Sequence, residues 1–151
     1  MSAIFDIETG AGMSYEEKGT WVYLVVSVVV YAAYVGVVLS RADGGPLADV
    51  AYVAPLLWSI GTAIVAAIVV RVVVEIARPS ESYRSDERDR DLARRGTLAG
   101  QWGVVAGALG ALTLALAEAD TFWISNTIYL GFVVMAVVSS VVTLVAYRRG
   151  A

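Results

Sequence analysis

The side chains able to do chemistry are few, and they sit where long apolar runs end. Arg71 and Glu75 stand four residues apart, a spacing that makes them neighbours on one face of a helix. Two roles follow for them: a structural ion pair, or a gate that touches a ligand. Glu118, Asp120 and Asn126 gather at the junction of the last two apolar runs. Two carboxylates and an amide offer the oxygen donors that a hard cation takes; they are equally the groups that cap and wet a tight turn. Asp86, Glu87, Arg88 and Asp89 form the charged centre of "RPSESYRSDERDRDLARRG". Within it Asp86 with Arg90, and Asp91 with Arg95, are acid-to-base pairs at i,i+4, as expected of a solvated, self-paired helix face. Arg94 and Arg95 also form a candidate patch for lipid headgroups.

None of these groups composes an active site. The chain contains no Cys and no His, which removes disulfides, thiol redox chemistry, histidine-ligated haem and cysteine or histidine zinc sites. Its carboxylates lie at the borders of the apolar runs, where a proton relay across a membrane could not use them. No enzyme, cofactor or metal site is expected. The net charge of −3 gives no reason to expect nucleic acid.

Four elements must position these groups. Of 151 residues, 58% are hydrophobic and 17% charged, against about 25% charged in soluble domains. The charges are bunched, leaving four uncharged runs: about 21–39, 50–70, 98–116 and 122–146. Each reaches the ~20 residues that carry a helix across a ~30 Å hydrocarbon core. Open strands would leave backbone groups unpaired in lipid. The expected fold is therefore an all-α integral membrane bundle of four transmembrane helices. It comprises a single domain over 20–149, preceded by a flexible segment over 1–19. Pro55 falls early in the second run, where a missing N–H matters least. The first run is too long for a cleaved signal peptide and lacks an A-x-A site.

Orientation follows from the basic residues. If both termini are cytoplasmic, Lys18, Arg71, Arg78, Arg84, Arg88, Arg90, Arg94, Arg95, Arg148 and Arg149 lie inside, and Arg41 alone lies outside. The positive-inside rule favours that topology. The outer connection "AEAD" is so short that the third and fourth helices must form an antiparallel hairpin. The four tryptophans, Trp21, Trp58, Trp102 and Trp123, are expected as structural anchors near the interfaces.

Gly96, Gly100, Gly103, Gly107 and Gly110 repeat at 4-3-4-3, which keeps them on one stripe of the third helix. Glycine costs a helix in water up to ~1 kcal/mol relative to alanine. Between helices in lipid, small side chains let backbones approach, and close packing drives association. The stripe is thus a packing seam with two expected uses: against the fourth helix of the same chain, or as the axis of a homodimer. A matching stripe is expected at Ser125, Tyr129, Phe132, Ala136, Ser139 and Thr143, with Ser139, Ser140 and Thr143 able to hydrogen-bond across helices. Ser85 is the expected N-cap of the third helix, after a stop at Pro79, with Asp86 and Glu87 in its first turn.

The segments "SDERDRDLARRG", "MSYEEKGTWVYLVV" from Met13 and "ALAEADTFWISNTIYLGFV" resemble a family of small bacterial four-helix membrane proteins, a domain of unknown function with an Asp-Glu-Arg-Asp loop between its second and third helices. The resemblance runs over most of residues 13–149. It implies a multi-pass protein of the bacterial cytoplasmic membrane and lends no activity. It also places the family's usual start at Met13, leaving 1–12 as an extension. The function expected is non-enzymatic: association through helices in the lipid bilayer, as a homodimer or other homo-oligomer, or as accessory or sensory partner to an unidentified membrane or cytoplasmic protein. A small transporter or channel is the alternative.

Overall fold

The computed structural model describes residues 15–76 and 83–149. Four helices follow one another: α1 (Tyr15–Ala42), α2 (Val53–Ile76), α3 (Tyr83–Leu116) and α4 (Thr121–Arg148), with a single 3₁₀ turn, Leu47–Asp49, between the first two. No strand occurs among the described residues. By length and composition all four helices can cross a membrane. At ~1.5 Å per residue, the 34 residues of α3 exceed a ~30 Å hydrocarbon core by about 20 Å, and the surplus is its charged N-terminal part.

Each helix end has a local cause. At the end of α1, Asp43 (φ 43°) and Gly44 (φ 80°) are both left-handed, and the Gly45 N–H donates to Ala42 O at 2.6 Å. An Asp-Gly pair tolerates such a reversal. The second helix starts at Val53 rather than Val50, where the apolar run begins. In a helix begun at Val50, the Ala51 carbonyl would need the N–H of residue 55, which is proline and has none. Arg41 Nη1 donates to that carbonyl instead, at 2.7 Å. The third helix begins at Tyr83, so Ser85 lies within its first turn rather than capping it. The expected stop at Pro79 and the extension over 1–12 lie outside the described residues.

A four-residue connection joins α3 to α4. Glu118 is left-handed, with φ 55°. Its N–H donates to Ala115 O at 3.1 Å, and that of Ala119 donates to Leu114 O at 3.0 Å. These two bonds form a Schellman motif, which satisfies the last carbonyls of α3. Asp120 is the N-cap of α4 through its backbone, and its side chain makes no capping bond.

The packing is open. α3 and α1 both pack on α4, and α2 packs on α1, giving the order α2–α1–α4–α3. The buried cluster Tyr34, Val38, Val50, Tyr52, Leu56, Phe122 and Tyr129 sits toward the end that carries the α1–α2 connection and the α3–α4 turn.

Candidate functional site

The glycine stripe faces α4. A Cβ added to Gly96 would lie 2.5 Å from Ser139 O, one on Gly100 2.7 Å from Met135 O, and one on Gly103 2.7 Å from Met135 N. At Gly107 the obstacle is Gly131 Cα, at 2.7 Å, and at Gly110 it is the Thr127 methyl group, at 3.1 Å. Four of these five contacts are with backbone, so the two helix axes approach as closely as only glycine permits.

The α4 side of that contact differs from the expected stripe. Thr127, Gly131, Met135, Ser139 and Thr143 meet α3, a spacing of four throughout. Ser139 and Thr143 belong to both sets; Tyr129 turns toward α1 and α2, and Phe132 is exposed. Gly131 was the missing signal, since it alone on α4 can oppose Gly107 at backbone distance. Nor do the hydroxyls reach across. Ser140 Oγ donates to Ala136 O and Thr143 Oγ1 to Ser139 O, each at 2.8 Å. A carbonyl four residues back is always in reach and satisfies the hydroxyl without a partner helix.

A second internal feature joins α1, α2 and α4. Tyr34 Oη donates to Asn126 Oδ1 at 2.7 Å, and Asn126 Nδ2 donates to Phe122 O at 2.8 Å. The hydroxyls of Ser59 and Tyr129 pair with each other. The Tyr129 ring meets Tyr31 and Tyr34 edge-on, each at 5.5 Å between centroids. Polar groups in lipid need partners inside the protein, and here each finds one on another helix. Tyr31 with Tyr34 and Asn126 with Tyr129 stand three apart, the sequence signal for a shared face.

The expected polar clusters fare unequally. Asn126 is drawn inward by Tyr34, while Glu118 and Asp120 stay exposed at the turn. Among the described residues no group of three acidic, Cys or His side chains is placed to hold a metal. Arg71 and Glu75 fall within α2, and Asp86, Glu87, Arg88 and Asp89 within α3, but their side chains lie outside the described residues. Trp58 and Trp102 are 78% and 73% exposed, as befits residues that face lipid or its interface.

Two grooves open on the α4 surface. One, of about 360 Å³, is wholly apolar and runs between α3 and α4 past Val104, Ala108, Ala111, Ile128 and Phe132. The other, of about 240 Å³, lies between α1 and α4, with Tyr31, Tyr34, Leu47, Trp123, Asn126 and Leu130 in its lining. No family model matches the chain, and no curated protein or solved structure does either.

Proposed function

We propose that this chain is a non-enzymatic, multi-pass protein of the bacterial cytoplasmic membrane that acts by association of its helices, as a homo-oligomer or as accessory partner to another protein. Both termini and the "DERD" segment face the cytoplasm in this reading, which rests on the distribution of Lys and Arg.

One observation carries it. Ala32, Gly36 and Ser40 stand four apart on α1, all exposed, and a Cβ on Gly36 would meet nothing within 4 Å. The glycines of α3 offset their conformational cost through α4. Gly36 has no such offset among the described residues, and small-xxx-small faces of this kind join helices in lipid. A second helix on that face would supply the missing contact. A transport reading draws less support: among the described residues no Asp, Glu, Lys or Arg side chain is buried between the helices.

Replacing Gly36 by Leu tests the proposal. Detergent-corrected mass and cross-linking in bilayers should show an oligomer for the unmodified chain and a folded monomer for Gly36→Leu. A chain that is monomeric in bilayers before substitution, and that captures no partner from its native membrane, overturns it. Ion or solute flux in proteoliposomes would move the assignment to the transporter class.

A further inference from the structure

We propose that the groove between α1 and α4 holds one glycerophospholipid, with an ester carbonyl on the Asn126 amide, the acyl chain along Tyr31, and the phosphate at Arg41. The groove is smaller than the roughly 300–1,000 Å³ of drug-sized pockets, which suits a slender chain. Its rim residues Leu39, Trp123 and Leu130 are exposed, so it opens sideways to the bilayer.

The polar end matches an ester in both chemistry and depth. Asn126 gives one amide hydrogen to Phe122 O and receives the Tyr34 hydroxyl on its oxygen. An amide carries two N–H donors, and among the described residues no acceptor meets the second. The 28 residues of α4 span about 42 Å, about 12 Å more than the hydrocarbon core. That leaves about 6 Å of helix beyond the core at each end. Asn126 lies five residues, about 7.5 Å, from the first residue of α4. It therefore sits at the border between hydrocarbon and headgroups, where ester carbonyls lie.

Charge supplies the second point of recognition. At this end of the bundle Arg41 is the only basic side chain among the described residues. It lies seven residues, about 10 Å, beyond Tyr34 on α1, on the headgroup side. Its bond to Ala51 O uses one of five guanidinium donors, leaving the others for a phosphate. The groove between α3 and α4 is lined by apolar side chains and lacks this match.

The full chain, purified in a mild non-ionic detergent, is titrated with a diester phosphatidylglycerol and with its diether counterpart, and adducts are counted by native mass spectrometry. A 1:1 adduct should form, with the diester held about 3–10-fold more tightly, the worth of one hydrogen bond. Arg41→Gln should weaken both lipids alike. Leu130→Trp, which fills the groove, should abolish the adduct while circular dichroism shows the helices intact. Equal binding of diester and diether overturns the carbonyl contact and with it the proposal, and this comparison needs no variant. A ladder of adducts with no distinct 1:1 species, or an adduct that survives Leu130→Trp, also overturns it in favour of non-specific lipid.

Discussion

Glu118 carries local backbone strain. It is held at φ 55° by the two Schellman bonds that end α3, and a non-glycine residue costs about 1–2 kcal/mol in that region. Glycine would remove the strain while adding about 0.4–1 kcal/mol of conformational freedom to the unfolded chain. Glu118→Gly should therefore stabilise the protein by about 0.5–1 kcal/mol, read as a rise in thermal midpoint in detergent, and Glu118→Val should lower it. This strain was invisible in "AEAD", where the acids suggested cation or cap chemistry. A left-handed residue is betrayed in sequence when it is glycine, asparagine or aspartate, and here it is none of these. Asn126 has its partner hidden in the sequence for a related reason. Its chain neighbours are polar turn residues, but the partner that sets its role, Tyr34, lies 92 positions away.

Among the elements, the α3–α4 hairpin shows how an identical substitution can have opposite effects along one stripe. At Gly107 an added methyl meets Gly131 Cα at 2.7 Å, and backbone cannot move without parting the helices. At Gly110 it meets the Thr127 methyl at 3.1 Å, a side chain able to shift by a few tenths of an ångström. Overpacking costs about 1–3 kcal/mol, whereas glycine to alanine in a helix gains up to about 1 kcal/mol. Gly107→Ala should thus lower stability by about 1–3 kcal/mol and Gly110→Ala should leave it unchanged or raised, both measured by thermal or denaturant unfolding in the same detergent. The 4-3-4-3 spacing and the short turn made the stripe and its neighbour legible from sequence. The facing side of α4 was not legible, because aromatic and small residues alternate along it so that more than one stripe fits a helical period. The close approach of Gly107 to Gly131, with Met135 and Ser139 against Gly100 and Gly96, fixes the rotation of α4. The start of α2 shows a similar limit: hydropathy runs through Val50, but the helix waits until the missing N–H of Pro55 no longer matters.

At the scale of the whole molecule, the order α2–α1–α4–α3 leaves large apolar side chains exposed along the membrane-crossing parts of α2 and α3. Ile76 is 80% exposed and Leu57 63%, surface that water would penalise by about 25 cal/mol per Å² and lipid would not. Orientation across the bilayer depends on something other than packing, since the fold is equally content either way up. Charge decides it. The ends of α1 and α4 that meet at the buried tyrosine cluster carry Arg41 as their one basic residue, while Lys18, Arg90, Arg94, Arg95, Arg148 and Arg149 lie at the opposite end among the described residues. The absence of native Cys makes the test direct. Cys introduced at Asp49, exposed in the 3₁₀ turn, and at Asp91, exposed on α3, reports on the two ends separately. An impermeant maleimide added to intact cells should label Asp49→Cys and leave Asp91→Cys untouched until the cells are opened. The reverse pattern would invert the molecule, placing Arg41 and the lipid groove in the inner leaflet with the charged start of α3 outside. Labelling of both positions in intact cells would mean that the chain inserts in two orientations, as an antiparallel pair would, and the positive-inside bias would then have failed to fix one.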